Sequence, residues 1–318
     1  MEKDKLSVLK KIDSRQLYRL FVDGRLYAKE NGWLRYEQRQ PGCVQGISLA
    51  FCHMIDNFEL KDGITLTYLS KLHDLLFSKI DVKSRKNRYP GQIREFRISF
   101  LVRKRASSRN GIRELMANRT LKDAFKGDIN ACQNAEDIYN AISAGDKIRY
   151  VVETGYLPPL LNQASVNKEP QHLYLQARKQ VRRNITAKTQ AILDHYNQTI
   201  DTIDNDLKVL FIVDCVKELE RLHPFVDGNT RVFVSILFNH LLMLNGFYPV
   251  IFEEPSIFDA RTSEEIMTEV YQGQEIVRRI IQDPSIRVFG HSIDDESAEN
   301  QKGACSLMQE LIERIDLL

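Results

Sequence analysis

The stretch that decides the fold is His223-Pro-Phe-Val-Asp-Gly-Asn-Thr-Arg231, which lies between two strongly apolar segments. Residues 206–222 before it carry apolar side chains at helical spacing. Residues 231–244 after it are apolar on nearly every face and stop at Asn245-Gly246, a helix C-cap signal. A helix that is apolar all round is a buried one. The stretch therefore predicts a loop leading into a helix whose N-terminus lies near the centre of the protein.

The loop combines side chains that suit a phosphate site. The first N–H groups of a buried helix have no partners and carry the positive end of the helix dipole, which favours an anion. Arg231 adds a positive charge, and Gly228 and Asn229 permit close backbone approach. Asp227 offers a carboxylate to a divalent metal, and His223 is a base that titrates near neutral pH. Each has a structural alternative: a helix N-cap for the aspartate, a tight turn for Gly-Asn, and a partly exposed polar histidine.

These residues resemble the signature of the Fic family, H-P-F-x-(D/E)-G-N-G-R-x-x-R. The matching positions are His223, Pro224, Phe225, Asp227, Gly228, Asn229 and Arg231. Two positions depart from it, since Thr230 replaces the second glycine and Val234 replaces the last arginine. We expect Phe225 to anchor the loop in the core. The resemblance implies a mainly α-helical fold, a Fic-fold helical bundle with a small β-hairpin flap and an inserted helical segment.

The resemblance also implies an activity. Fic enzymes commonly transfer AMP from Mg·ATP to a Ser, Thr or Tyr hydroxyl of a target protein, so a protein adenylyltransferase is expected. In that family His223 would be the catalytic base and Asp227 the Mg²⁺ ligand. The donor phosphates would be held by Gly228, Asn229, Thr230 and Arg231. The two departures fall on the phosphate-holding half of the motif, which leaves two alternatives open: another phosphate-containing donor, including ATP bound in reverse for phosphorylation, and a non-catalytic Fic-fold binding module.

The remainder of the chain agrees with this fold. A helix predicted to start near Thr65 leads towards Pro90-Gly-Gln-Ile-Arg94, which is similar to a turn before the first strand of the Fic domain and whose arginine we expect to be structural. Residues 96–100 alternate as a strand does, and residues 150–152 with 155–160 indicate a strand and a proline-stiffened turn where Fic enzymes carry the flap. Residues 102–147, basic at their start, indicate an inserted helical element. It is either a target-recognition surface or a solvated insert.

We expect three regions. These are an N-terminal helical region (1–62), a Fic-like catalytic core (63–284) with an insertion at about 102–147, and an acidic linker with a C-terminal helix (285–318). Within the core, residues 173–203 are compatible with a long helix, and a capping box, Thr262-x-x-Glu265, starts another helix that Pro284 ends. The polar residues 291–302 predict a mobile linker.

Composition excludes several classes of protein. The chain has 318 residues and a net charge of +2, which does not predict a nucleic-acid partner. Its five cysteines are scattered without a CxxC pair, which argues for a reducing compartment and against a disulfide framework. No apolar run approaches a membrane span, and the charged first residues do not resemble a signal peptide. We expect a cytoplasmic protein, or, as the resemblance allows, one that a bacterium secretes into a host cell.

Many Fic proteins inhibit themselves through an (S/T)-x-x-x-E-(G/N) helix whose glutamate pairs with the last arginine of the motif. Residues 48–53 are the N-terminal candidate here, and they have Cys52 in place of that glutamate. Residues 292–297 are the C-terminal candidate, and their Glu296 would meet Val234 instead of arginine. We therefore expect self-inhibition to be weak or absent.

Overall fold

The computed structural model describes residues 5–26, 32–81, 90–117, 119–153 and 171–318, without the side chains of residues 171–174. The protein is mainly helical with a small three-stranded antiparallel sheet, which confirms the predicted fold class. The helices are α1 (Ser7–Lys10), α2 (Gly32–Arg39), α3 (Cys43–Asp56), α4 (Leu66–Ser78), α5 (Arg109–Met116), α6 (Leu121–Ala124), α7 (Ala135–Ala144), α8 (Gln171–Thr199), α9 (Asn205–Leu222), α10 (Phe238–Leu244), α11 (Ile257–Ala260), α12 (Ser263–Gln282), α13 (Ala298–Leu307) and α14 (Gln309–Asp316). In the part of the chain described, no helix combines the length and apolar character needed to cross a bilayer.

The central helix follows α9 after the loop. It begins at Asn229, passes through a π-helical segment (Arg231–Leu237) and continues as α10. Residues 232–243 are all buried, and the helix ends at Leu244 with Asn245 as its C-cap, followed by Gly246 with φ +83°. Both features confirm the predicted buried helix and its C-cap. Single π-turns inside α-helices often occur at functional sites.

Local capping signals act as predicted. The Thr65 hydroxyl accepts a hydrogen bond from the backbone N–H of Tyr68 at the start of α4. Thr262 and Glu265 form the complete capping box of α12. Each cap satisfies backbone donors that the first turn of a helix leaves without partners.

The C-terminal segment belongs to the main core. That core runs from Leu6 to Ile315, and α14 packs against α3. The predicted mobile linker over residues 291–302 is folded instead, since a short 3₁₀ turn (Ile293–Asp295) and most of α13 occupy it. Its polar residues serve the fold: Ser292 and Asp295 form a capping box, and His291 Nε2 lies 3.2 Å from Glu296 Oε1. Acidic composition alone does not reveal that these groups have partners.

The insertion has its own small core around Ile112, Phe125 and Ile148. The sheet order is β1 (Ser99–Leu101), β3 (Ile148–Val151), β2 (Phe125–Gly127), with Phe100 opposite Tyr150. The strands β1 and β3 thus flank the insertion. The insertion contains the predicted helices, α5 to α7, and also β2, which the sequence did not predict. The proposed proline-stiffened turn at residues 155–160 lies outside the described residues.

Candidate functional site

The loop between α9 and the central helix is held from inside. The Phe225 ring is fully buried and stacks on His73 with ring centroids 4.1 Å apart, which agrees with its expected role as an anchor. The Asn229 side chain bonds both the N–H and the carbonyl of Phe225, at 3.0 and 2.9 Å. Gly228 has φ +76°, and a Cβ there would lie 2.8 Å from the Phe77 ring. The loop geometry thus requires Gly228, and the Asn229 amide is already engaged.

His223 is the last residue before the loop. It adopts a left-handed conformation, φ +45°, which is uncommon for a residue other than glycine and often occurs at functional sites. Its Nδ1 bonds the Glu220 carbonyl, which can only accept, so Nδ1 carries the proton and Nε2 is the basic nitrogen. The ring stacks on Phe100 with centroids 4.6 Å apart. Burial lowers the pKa of His223 to about 4, so the ring is neutral at pH 7 and can accept a proton.

The Pro90–Arg94 turn fixes this conformation. Buried Arg94 donates from Nε to the carbonyl of His223 at 2.6 Å and from Nη2 to the last carbonyl of α9, that of Leu222, at 3.0 Å. From the same turn, the N–H of Gly91 donates to His73 Nδ1 at 2.8 Å, which leaves His73 Nε2 to donate to the Asp227 carbonyl at 2.9 Å. Arg94 therefore has the structural role that the sequence predicted, as a positioning residue for the histidine.

Arg231 lies at the start of the central helix. Its Nη1 donates to Gln40 Oε1 at 2.8 Å and to Cys43 Sγ at 3.1 Å, both from the N-terminal region. The guanidinium lies over the Phe77 ring, 5.4 Å from its centroid, and Nη2 is 3.9 Å from the carboxylate of Asp227. These contacts hold a planar cation at the helix N-terminus, where an anion is favoured.

Asp227 fits the metal role that the resemblance implies. One carboxylate oxygen accepts from the N–H of Gly228 at 2.8 Å, and about a third of the side chain is exposed. Mg²⁺ usually binds through one or two carboxylates together with substrate phosphates, and it keeps several waters. A single partly exposed carboxylate beside Arg231 meets that requirement.

Thr230, the first departure from the Fic signature, faces α9. Its hydroxyl donates to Glu220 Oε1 at 2.6 Å, and it makes no side-chain cap on the helix. Val234, the second departure, is completely buried in the core. The threonine hydroxyl is thus engaged with a carboxylate, in contrast to the phosphate contact that its place in the motif suggests.

Sequence reasoning missed a pair of buried acids beside the histidine. Glu220 and Asp259 are 0% and 8% exposed. One carboxylate oxygen of each lies within 4.8 Å of the other and of a His223 ring nitrogen. Among the described residues, Glu220 Oε2 and Asp259 Oδ1 have no hydrogen-bond partner. Burial raises the pKa of Glu220 well above its usual value and that of Asp259 to about 7. Buried oxygens without partners are costly and need an explanation.

The sequence held a signal for only one of the two. Glu220 continues the buried stripe Val209, Val213, Val216 of α9, so a charge occupies an apolar position of an amphipathic helix. Asp259 lies on α11, and only tertiary structure brings it to α9.

Two cavities share part of their lining beside His223. The inner cavity, of about 360 Å³, includes Asp259, Tyr36 and Glu254 in its lining, and Glu220 lies within 4.8 Å of two lining residues, His223 and Asp259. The loop cavity, of about 540 Å³, includes Asp227, Gly228 and Asn229. The residues that line both cavities are Phe100, Leu101, His223, Thr230 and Arg231. A ligand that spans them would pass His223 and Arg231.

No family model matches the chain. The chain is 29% identical over 337 aligned residues to the phosphocholine transferase AnkX of Legionella pneumophila. The alignment covers 98% of this chain and 33% of AnkX, so the chain spans about a third of the length of that relative.

Proposed function

We propose that the chain is a Fic-type transferase that moves phosphocholine from a nucleoside diphosphate donor onto a hydroxyl of a target protein. The observation that carries the proposal is the buried Glu220–Asp259 pair beside His223, two of whose oxygens have no hydrogen-bond partner in the described part of the chain. The similarity to AnkX supports the same transferred group. The Fic resemblance of the loop supports the chemistry.

The inner cavity suits a permanent organic cation. Two carboxylates close together attract one positive charge. A quaternary ammonium group has no N–H, so it needs neither a hydrogen-bond partner nor the ligand set of a metal ion. Tyr36 and Phe100 provide aromatic surface in the same cavity. Quaternary ammonium groups are bound by aromatic rings and carboxylates in this way. The other acids that line the cavity, Asp23 and Glu254, are already paired with Arg25, at 2.7 and 2.8 Å.

The loop cavity suits the diphosphate. Arg231, the first N–H groups of the central helix and the helix dipole all favour an anion there. Asp227 would hold Mg²⁺ together with the donor phosphates, and that ion would neutralise phosphate charge when bound. Val234 in place of arginine removes a cation that would otherwise meet outer phosphates, which favours a donor with two phosphates over ATP.

The reaction is a substitution at the phosphorus that carries choline. His223 Nε2 accepts the proton of the target hydroxyl, and the hydroxyl oxygen forms a bond to this phosphorus. The bridging P–O bond of the diphosphate breaks, and the nucleoside monophosphate leaves with the electron pair. Arg231 lies where it would stabilise the negative charge that develops on the phosphates.

AMP transfer, which the signature alone predicts, explains less of the site. The adenosine of ATP offers no positive charge to the carboxylate pair. The motif departures also remove the outer-phosphate arginine and direct Thr230 to Glu220. AMP transfer and phosphorylation remain the competing outcomes of the test.

The test compares donors and a matched histidine control. The purified chain is incubated with candidate hydroxyl-bearing proteins and either CDP-choline or Mg·ATP, and the intact masses of the proteins are measured. We expect a phosphocholine mass increase with CDP-choline only. Replacing His223 with Ala should lower the rate by about 10²–10⁴-fold, whereas His195→Ala, at an exposed position of α8, should not. An AMP or phosphate mass increase with ATP, together with no calorimetric binding of CDP-choline, would refute the proposal.

A further inference from the structure

Thr230 has a specific contact that its position in the motif does not require. Its hydroxyl donates to Glu220 Oε1 at 2.6 Å, across the interface between the central helix and α9. Glu220 is completely buried, and its other oxygen has no hydrogen-bond partner within the residues that the structure describes. Among the described residues, this hydroxyl is thus the hydrogen-bond donor to the Glu220 carboxylate. One oxygen of that carboxylate lies within 4.8 Å of a ring nitrogen of His223 and of a carboxylate oxygen of Asp259.

A glycine at this position, as in the Fic signature, would leave both oxygens of Glu220 without a donor. A buried carboxylate without donors takes up a proton or turns away, because an isolated charge at such a site is costly. A hydroxyl that donates to the carboxylate stabilises its charged form and fixes its orientation. The threonine thus supports the negative charge behind the inner cavity.

We propose that Thr230 is a positioning residue that sets the preference for a cationic transferred group by holding Glu220 in place. This inference rests on the proposed function, because it assigns the specificity of the same cavity. A helix cap would be a rival role, but Thr230 makes no side-chain cap. Thr230 also lines both cavities, so its substitution can change the binding of either half of a donor.

The experiment uses two donors that differ only in charge. One is CDP-choline, and the other is its neutral isostere, in which a tert-butyl group replaces the trimethylammonium group. Calorimetric affinity and KM are measured for the parent chain, Thr230→Val and Thr230→Ser. Valine keeps the β-branched shape without the hydroxyl, and serine keeps the hydroxyl. We expect Thr230→Val to bind CDP-choline about 10- to 100-fold more weakly, the range for a hydrogen bond to a charged group, with the isostere unchanged and with Ser resembling the parent.

The outcomes separate the inference from the function. If the parent does not distinguish the two donors, the cation site is wrong, whereas the proposed function fails only when CDP-choline gives no phosphocholine mass increase. Suppose that the parent distinguishes the two donors. If Thr230→Val then distinguishes them equally well, or binds both more weakly by the same factor, the positioning role is wrong and the function stands. The Thr230→Val, Glu220→Gln double variant gives an independent check through a double-mutant cycle. The valine substitution should reduce donor preference no further once Glu220 is neutral. Should valine disturb folding, seen by circular dichroism, Thr230→Ala takes its place.

Discussion

Binding of a choline donor should release a proton from the Glu220–Asp259 pair. Their facing oxygens lie at most 4.8 Å apart. Two charges at that separation repel by at least about 3.5 kcal/mol at an effective dielectric constant of about 20. That energy corresponds to about 2.5 pKa units, so the empty pair holds one proton near neutral pH and titrates as a unit. A bound cation cancels the repulsion, and both groups can then be ionised.

The direction of the pH dependence of donor affinity follows from the raised pKa of the two acids. Burial raises the pKa of both acids, of Asp259 to about 7 and of Glu220 well above its usual value, so the pair carries a proton below about pH 7 and must lose it when the cation binds. Donor affinity should therefore rise with pH through about pH 7, by up to about tenfold per pH unit for each proton released. Arg221 and Arg103 lower the pKa of Asp259, while Glu254 raises it. Thr230 lowers that of Glu220.

Calorimetry of CDP-choline in buffers of different ionisation enthalpy measures the released protons directly. We expect more protons to be released near about pH 6 than near about pH 9, with about one proton of the difference from Asp259. Asp259→Asn should reduce both the release and the pH slope. His223→Ala should keep both, since the pKa of His223 is lowered to about 4 and the ring does not titrate in this range. An affinity that stays constant from about pH 6 to pH 9 in the parent chain would show that the cation does not bind beside the two acids.

Three further substitutions test the frame of the site. Gly228→Ala should lower the free energy of unfolding by about 1–3 kcal/mol, measured by urea titration, and weaken donor binding. Gly246→Ala is the control, because Gly246 has a similar φ of +83° and a Cβ added there would meet no atom of the described residues within 4 Å beyond its chain neighbours. It should therefore show the cost of the backbone strain alone. Val234→Arg, which restores the signature, should destabilise the chain by about 3–5 kcal/mol, because the position is fully buried; a melting temperature equal to that of the parent would contradict this. Glu296→Gln removes the charge beside His291 and should lower stability without raising transfer rate, and strong activation would instead identify Glu296 as inhibitory.

The sequence by itself determined the features that depend on local chemistry and on periodicity. The buried central helix follows from its apolar residues, its end from Asn245-Gly246, and the start of α12 from Thr262 and Glu265. Phe225 as an anchor also follows, because a large apolar residue in a polar loop must be buried somewhere. Such signals lie within a few residues of the structure that they specify.

Only the tertiary structure decided what the site can hold. Asp259 meets Glu220 because α11 packs on α9, and Arg231 is bound by Gln40, 191 positions earlier in the chain. Neither contact leaves a local pattern, since each depends on how distant elements pack. The direction of the Thr230 hydroxyl is of the same kind. Whether it reaches a phosphate, a helix cap or Glu220 depends on which helix packs beside it.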